Sequence, residues 1–375
     1  MTVPHHRLAA LDWMRGLVMS LMALDHADAI FNRGHRAPYD DTNLLYGGTL
    51  PDTAQFLTRW VTHLCAPTFL FLAGTSLALS IGRRKAEGES DRSLDRHLLL
   101  RGCLIALLDP LVMTWCFGGE RIIFQVLFAI GVSMILMVPL RRLGARWLFC
   151  LAVSILLLGE LLVLYSRPLR GVIPDLVFGA SIDLRLPLLG SQQLLMLYPV
   201  LPWLAMLMLG WVLGCYLREQ GPAASARVLL LCGGLALCLF AALRADNGYG
   251  NMFLSRADHS LLEWLHVSKY PPSLTFTTLE LGIMCVVLAG LLRLGRGGHP
   301  RPGNPLLVFG QTALFFYLLH IPILGACALG FGILQKLDLQ AGYLGALAVL
   351  IVLYPSCRWY GRYKRAHPGG WSRYL

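Results

Sequence analysis

The amino-acid sequence predicts an all-α polytopic integral membrane protein with about ten (10–11) transmembrane helices and cytoplasmic N- and C-termini. The first observation is composition: 56% of the 375 residues are hydrophobic and 14% are charged, a balance that a soluble domain of this length could not keep in solution. The second is a series of long apolar runs, and the third is the placement of the basic residues between them. We treat residues 1–375 as a single transmembrane domain.

The apolar runs and the segments between them set the predicted topology. The runs lie near residues 8–31, 59–82, 97–116, 121–140, 147–165, 194–217, 228–243, 271–292, 305–330 and 342–358. Arginine and lysine concentrate in alternate segments, among them 83–96, 141–146 and 358–373, which the positive-inside rule places in the cytoplasm. The net charge of +11 therefore follows from topology and from contact with the anionic lipid bilayer, and we expect no nucleic-acid partner.

The first apolar run contains ionisable residues that lipid-facing helices avoid. They are Asp12, Arg15, Asp25, His26 and Asp28. Because an ionisable group in hydrocarbon is strongly disfavoured, these side chains are predicted to face protein or water. Arg15 and His26 project within about 20° of each other around the helix, which makes one face a polar stripe. The stripe predicts one wall of a passage, although Asp12 with Arg15, and Asp25 with His26, could instead form structural pairs.

The second and third runs contain helix-breaking residues beside polar ones. Pro67 is predicted in the middle of a span, where it would kink the helix towards a cavity, and His63 about one turn below the outer surface. Asp109-Pro110 predicts a second broken helix with a carboxylate beside the break. His63 could equally be a core histidine, and Asp109 could hold a proton, a water or a helix–helix hydrogen bond. The cysteines form no CxxC pair, so we predict neither a disulfide framework nor a metal site.

Residues of the eighth and ninth runs are predicted to reach the same depth. Lys269-Tyr270 precedes the eighth run on the outside, Glu280 lies deeper in it, and His320 lies in the outer third of the ninth. With the histidines of the first and second runs, this predicts a cluster of three histidines and one lysine. Each has a structural alternative: Lys269 could snorkel to the interface, His320 could be a core histidine, and Glu280 could form a helix–helix hydrogen bond.

The outer connections, 32–58, 166–193 and 244–270, are longer than the inner ones and are richer in Trp, Tyr, His, Asn and Asp. Binding surfaces are commonly carried on such loops, so we expect recognition of an acceptor outside. No P-loop, GxSxG elbow or HExxH helix is present in the sequence.

Several motifs, taken in chain order, resemble one family of membrane enzymes. They are Leu11-Asp12 with Arg15-Gly16, Leu24-Asp25-His26, Thr62-His63-Leu64-Cys65-Ala66-Pro67, Tyr198-Pro199 with Pro202-Trp203, Lys269-Tyr270-Pro271-Pro272-Ser273, and Asn304-Pro305 with Phe315 to His320. As an ordered set they resemble the bacterial branch of the heparan-alpha-glucosaminide N-acetyltransferase family of transmembrane acyltransferases. The resemblance implies a multi-pass enzyme of the bacterial inner membrane that transfers an acetyl group from cytoplasmic acetyl-CoA to a glycan or amino-sugar acceptor outside. It also implies a catalytic histidine on the non-cytoplasmic side, for which either His26 or His35 could be the counterpart.

The mechanism that we predict from these residues divides them into two groups. The predicted catalytic residues are His26 as general base, Asp25 as its orienting carboxylate and His63 as a hydrogen-bond donor to the oxyanion. The predicted substrate-binding residues are Arg15, Asp12, His35, Lys269, Tyr270, Glu280 and His320. A basic inner rim would hold the phosphates of acetyl-CoA, and in a variant of the mechanism His26 or His63 carries the acetyl group covalently. No metal is expected, and a second copy of the chain is a candidate partner in a homodimer.

A small-solute or proton-coupled transporter is the competing prediction, because buried Asp, Glu and His in broken helices also mark permeation pathways. The sequence shows no inverted repeat and no pair of matching interrupted spans, which favours the enzyme. A structural membrane protein would leave the outer cluster unexplained. Consumption of a thioester would distinguish the enzyme from the transporter.

Overall fold

The computed structural model describes residues 8–35, 50, 52–116, 119, 121–166, 172–179, 181–185, 193–295, 301, 303–367 and 370. Within these residues the chain is mostly helical, which confirms the predicted all-α class. The longer helices are α1 (Ala9–Phe31), α3 (Cys65–Ala86), α4 (Asp91–Leu108), α6 (Val126–Leu140), α7 (Ala145–Ser166), α9 (Val200–Asp246), α11 (Leu274–Leu294), α13 (Ala313–Gly330) and α14 (Leu339–Ala366). The shorter ones are α2 (Thr53–Thr62), α5 (Thr114–Cys116), α8 (Val172–Val177), α10 (Leu261–Leu265) and α12 (Pro305–Gln311).

Seven helical segments of the described chain are long and apolar enough to cross a membrane. They are Thr53–Ala86, Asp91–Cys116, Ala145–Ser166, Val200–Asp246, Leu274–Leu294, Ala313–Gly330 and Leu339–Ala366. The larger number expected from the sequence needs three more crossings: the charged helix α1, the shorter helix α6 and the second half of α9. Gly221, with a φ of 75°, and the following Pro222 divide α9 into two helices, since neither residue suits a helix interior. The full count and the orientation of the spans stay predictions.

Both predicted helix breaks are present. The hydrogen-bonded helix is interrupted at His63 and Leu64, between α2 and α3, within the apolar segment Thr53–Ala86. Pro67 has no N–H to donate to the His63 carbonyl four residues earlier, so the interruption lies where this proline is expected to break the helix, and its direction towards a cavity stays a prediction. The break at Asp109-Pro110 is confirmed as a π-helical turn over Asp109–Met113. Oδ2 of Asp109 accepts the backbone N–H groups of Gln125 (2.9 Å) and Phe128 (2.8 Å), so this carboxylate caps the start of α6.

A small three-stranded sheet accompanies the helices, and the sequence did not indicate it. The strands are β1 (Arg121–Phe124), β2 (Ser181–Arg185) and β3 (Gln193–Met196), in the order β1-β3-β2. β1 pairs with β3 in parallel, with Arg121 opposite Gln193, and β2 pairs with β3 in antiparallel orientation. Strands of this length contain too few residues to show an alternating pattern. β1 and most of β3 lie within predicted apolar runs, and β2 lies within a predicted outer connection.

Helix α1 packs against α3, α11, α12, α13 and α14, and glycines bring its backbone close to α12. A Cβ on Gly16 would overlap the backbone of Leu306, and a Cβ on Gly310 would overlap the backbone of Asp12. Two of the ionisable side chains of α1 are buried within the protein. Asp12 is 1% exposed and Asp28 is 3% exposed, as expected for ionisable groups kept out of lipid.

The two ends of the helix bundle differ in chemistry. At the end where α1 begins and α14 ends, which we call the basic end, Arg141 binds Asp91 (2.9 Å) and Asp95 (2.6 Å) and so ties the end of α6 to the start of α4. At the opposite end, the loop end, the buried Arg244 side chain organises the segment after α9. It donates to Asn251 Oδ1 and to the backbone oxygens of Leu254, Glu263, Trp264 and His266.

Parts of the predicted topology lie outside the described residues. They include Arg7, Arg296 and Arg373, which contributed to the basic bias, and residues 36–49, 167–171 and 186–192 of the long outer connections.

Candidate active site

Two histidines from distant parts of the chain are in direct contact; one is half-buried and the other is buried. Nδ1 of His26, on α1, lies 2.6 Å from Nε2 of His320, on α13, and the two rings are stacked with centroids 4.9 Å apart. Nδ1 of His320 lies 2.7 Å from the backbone oxygen of Tyr317. A carbonyl only accepts, so this nitrogen carries the proton, and in neutral His320 the lone pair is on Nε2. His26 then donates through Nδ1, which places its own lone pair on Nε2.

The Asp25 carboxylate, next to His26 in the sequence, is bound by helix α2. Its Oδ1 accepts hydrogen bonds from Arg59 Nη1 (2.5 Å) and Thr62 Oγ1 (2.8 Å). Nη2 of Arg59 also reaches the hydroxyl of Tyr270 at 3.5 Å. Asp25 thus joins α1 to α2, and consecutive residues of a helix point in different directions. Orientation of His26 by Asp25 stays a prediction, whereas His320 is an observed neighbour of the His26 ring.

Lys269 and Tyr270 lie beside this cluster, as predicted, but Lys269 does not snorkel. Its side chain is 3% exposed, and Nζ lies 5.2 Å from the centroid of the Tyr270 ring. The Lys269 charge acts on Asp25 and His26 and on the more deeply placed Glu280. Glu280 is 1% exposed, and its Oε1 has no hydrogen-bond partner within the described residues. The helix–helix hydrogen bond considered for Glu280 therefore does not involve this oxygen.

His63 lies at the break between α2 and α3 and is buried. Its ring contacts Phe276 of α11 edge-on, with centroids 5.8 Å apart. His63 follows Thr62 directly, so it belongs to the same helix end that holds Asp25. Its predicted role as a donor to an oxyanion stays a prediction.

His35 forms a separate pair at the loop end. Its Nδ1 lies 2.7 Å from Oδ2 of Asp28, whose Oδ1 accepts from Asn32 Nδ2 at 2.6 Å. Asn32 Nδ2 also donates to Gln55 Oε1 at 2.7 Å. A carboxylate fixes the histidine ring by one nitrogen and leaves the other for a reactant. His35 and His26 therefore have different partners, and each is held in a defined orientation.

A cavity of about 300 Å³ opens in the half of the bundle nearer the basic end. Arg15, Arg101 and Lys364 are the basic residues in its lining, with Ser76 and Thr312 among the polar ones. Arg15 binds Asp12 at 2.7 Å and donates to Ser76. Arg101 lies close enough to Arg15 for their charges to repel, and its Nε has no hydrogen-bond partner among the described residues. Apolar residues of α3, α4, α6 and α13 complete the walls.

The cavity leads towards the histidine pair along two helices. Met19 of α1 and Tyr317 of α13 line it. His320 follows Tyr317 by less than one turn, and His26 follows Met19 by about two turns, or roughly 10 Å along the helix axis. The backbone oxygen of Tyr317 is also the acceptor that fixes His320. The cationic cavity and the histidine pair are therefore next to each other inside the helix bundle.

Several residues of this arrangement were not selected from the sequence as site residues. They are Arg59, Ser76, Arg101, Asn32, Gln55 and Lys364. Arg101 carried a usable signal, because an arginine within an apolar run requires a polar partner or a ligand. Arg59 also carried one, since it lies one helical turn before His63. Ser76 and Lys364 carried none, because a serine in a span and a lysine at a helix end are common.

No group of three or more His, Cys, Asp or Glu side chains that could hold a metal ion occurs within the described ranges.

Fold and site together define a multi-pass membrane protein with a pair of contacting histidines near a cationic cavity. Residues 7–241 match the family model for the catalytic domain of heparan-alpha-glucosaminide N-acetyltransferase, so the chain belongs to that family. The resemblance found in the sequence is confirmed, while assignment to the bacterial branch stays a prediction. Family membership and the apolar helices indicate a membrane acetyltransferase. No curated protein matches the chain.

Proposed function

We propose that the protein transfers an acetyl group from acetyl-CoA, bound from the basic end, to an amine or hydroxyl of a glycan-type acceptor that enters from the loop end. The observation that carries this proposal is the cationic cavity lined by Arg15, Arg101 and Lys364, which leads to the His26–His320 pair. The basic end faces the cytoplasm by the positive-inside rule, and the membrane is the bacterial inner membrane. Association into a homodimer stays a prediction.

The cavity supports a donor that has an anionic head and a thin apolar arm. Guanidinium groups bind phosphate oxygens in a forked geometry, and Arg101 has no carboxylate partner among the described residues. Two mutually repelling arginines beside one carboxylate are more stable with an anion between them. The apolar walls suit the pantetheine arm, whose thioester would then reach the histidine pair.

His26 is the proposed general base. Its Nε2 holds the lone pair because the hydrogen bonds from Tyr317 through His320 fix the proton on Nδ1. As the acceptor nitrogen or oxygen attacks the thioester carbonyl, Nε2 takes the acceptor proton, and the C–S bond then breaks. The proton passes to the departing thiolate, so one amide or ester and one thiol are formed. His63 would donate to the oxyanion, and Lys269, Tyr270 and Glu280 would contact the acceptor.

Asp25 has a different proposed role from the one predicted from the sequence. It holds Arg59 and Thr62 and so keeps the His63 end of α2 against α1. Its negative charge acts on His26 without a direct hydrogen bond in the proposed mechanism. In the two-step variant, His26 Nε2 attacks the thioester and carries the acetyl group until the acceptor arrives.

His35 is a second candidate for the base, favoured by its 2.7 Å contact with Asp28. A histidine held by a carboxylate is the arrangement that general bases often use. It lies after the end of α1, closer to the acceptor and farther from the donor cavity than His26. His26 remains the first choice because it adjoins the helices that line the cavity.

Turnover by the purified protein in detergent, with acetyl-CoA and glucosamine, tests the proposal. The wild type should release free coenzyme A and form N-acetylglucosamine, and His26→Ala should lower the rate by about 100-fold or more. Arg101→Gln should raise the KM for acetyl-CoA by roughly tenfold. Arg92→Gln, an exposed arginine at the same end and outside the cavity, is the matched control and should change neither value.

Two outcomes would change the assignment. If His35→Ala is inactive while His26→Ala remains active, then His35 and not His26 is the general base. A wild type that neither binds acetyl-CoA nor consumes it would favour the transporter.

A further inference from the structure

A second, smaller cleft opens at the basic end beside the donor cavity. It has a volume of about 100 Å³ and lies between α12, the α12–α13 junction and the last turns of α14. Arg358, Arg362 and Arg365 line it from α14. They are three and four residues apart, so they share one face of the helix. Gln311 and Thr312 line both the cleft and the larger cavity, which makes the two spaces neighbours.

Unlike several other basic residues at this end, the three arginines have no anionic partner among the residues that the structure describes. Arg84 binds Glu89 at 2.6 Å, and Arg141 and Arg142 each bind Asp95 at 2.6 Å. Within the part of the chain that the structure describes, no ion pair or hydrogen bond joins Arg358, Arg362 or Arg365 to another side chain. Like charges spaced by one turn destabilise a helix, so this face is unfavourable until an anion binds between the guanidinium groups.

We propose that this cleft binds a phosphate group next to the donor cavity. Three guanidinium groups and the Gln311 amide offer N–H donors that phosphate oxygens accept. Two sources present this chemistry at the inner surface of a membrane: the 3′-phosphate on the ribose of coenzyme A, and the headgroup of an anionic phospholipid. The donor source rests on the proposed function, and the lipid source does not.

The triple variant Arg358→Gln, Arg362→Gln, Arg365→Gln tests the proposal, with Arg92→Gln as the matched control. In the donor arm, binding of acetyl-CoA and of 3′-dephospho-acetyl-CoA is compared in nanodiscs of neutral lipid. If the cleft takes the donor phosphate, the wild type and Arg92→Gln bind the complete donor roughly tenfold or more tightly than the dephospho form. The triple variant should bind both forms with the affinity that the wild type has for the dephospho form. If the triple variant is not recovered folded, the single variant Arg362→Gln is measured in the same way.

In the lipid arm, retention of phosphatidylglycerol over phosphatidylcholine is measured in mixed-lipid nanodiscs. If the cleft takes a lipid headgroup, the triple variant loses the preference that the wild type and Arg92→Gln show, while both donor forms bind all variants equally. A wild type that binds neither donor form would overturn the proposed function, and the lipid arm would still decide whether the cleft binds phosphate. A folded triple variant that matches the wild type in both arms would overturn the inference.

Discussion

The contact between His26 and His320 is the feature on which the residue-scale account depends. The sequence placed both histidines at one depth, but they are separated by most of the chain, and no local pattern shows that two side chains touch. The contact between His320 and the Tyr317 carbonyl decides which ring nitrogen of each histidine carries the proton, and only the structure reveals that contact.

Replacement of His320 tests its positioning role. His320→Ala removes the acceptor of the His26 Nδ1–H and frees the ring to turn, so we expect kcat to fall roughly 10- to 100-fold, less than for loss of the base itself. His320→Gln retains an acceptor oxygen and should recover part of the rate. The measurement is steady-state turnover with saturating donor, with the KM for acetyl-CoA as internal reference. Equal activity of both variants and the wild type would remove His320 from the site.

The Asp25–Arg59 pair makes a prediction about stability. Both side chains are largely buried, at 17% and 7% exposure, so loss of one partner leaves the other charge poorly solvated. We expect Asp25→Leu to lower the free energy of unfolding by about 3 kcal/mol, and Arg59→Met added to it to recover part of that loss. Thermal unfolding in detergent measures both. Additive losses in the double variant would show that the two charges do not interact.

At the scale of elements, apolar periodicity predicted most helices because a span must satisfy its backbone hydrogen bonds internally. The two prolines marked where helices are interrupted, because proline has no N–H for the carbonyl four residues earlier. They did not show which residues of other helices the break contacts, such as Phe276 beside His63. Asp109 was recognised beside a break, but its role as a cap depends on Gln125 and Phe128, which belong to the next helix.

Close approach of α1 and α12 is the packing feature most sensitive to substitution. A methyl group at Gly310 would overlap the backbone of Asp12, so Gly310→Ala should lower the free energy of unfolding by about 1–3 kcal/mol and widen the spacing that shapes the donor cavity. Gly325 of α13 is the control, because among the described residues no atom outside the adjoining helix backbone lies within 4 Å of a Cβ built there. Gly325→Ala should leave the melting temperature in place, and a similar loss in both variants would contradict the packing account.

At the scale of the whole molecule, the distribution of arginine and lysine between the apolar runs predicted that both termini lie on one side of the membrane. The arrangement of the helices is compatible with that prediction. The start of α1 and the end of α14 lie at the same end of the bundle, and α1 packs along α14. The number of spans depends on two segments that length and apolar character do not settle. Helix α1 contains several charged residues, and the apolar segment Val200–Asp246 is divided into two helices at Gly221. The donor cavity was unpredictable in detail because its lining comes from α1, α3, α4, α6, α12, α13 and α14.

Reporter fusions test the predicted sidedness. With cytoplasmic termini, alkaline phosphatase fused after Lys336, between α13 and α14, should be active in a bacterial host, and the same enzyme fused after Gly370 should be inactive. A fluorescent protein at the second position should fluoresce. The reverse pattern would place the basic end outside and would separate the proposed donor site from the cytoplasm.

The measurement that tests the central claim most directly is acetyl transfer across a sealed membrane. Proteoliposomes are loaded with glucosamine, acetyl-CoA is added outside, and N-acetylglucosamine is measured inside, for the wild type and for His26→Ala. We predict that the wild type acetylates the trapped amine, that amine supplied only on the side of acetyl-CoA is not acetylated, and that His26→Ala forms no product in either case. Acetylation confined to amine on the side of acetyl-CoA, or transfer by His26→Ala at the wild-type rate, would contradict the account.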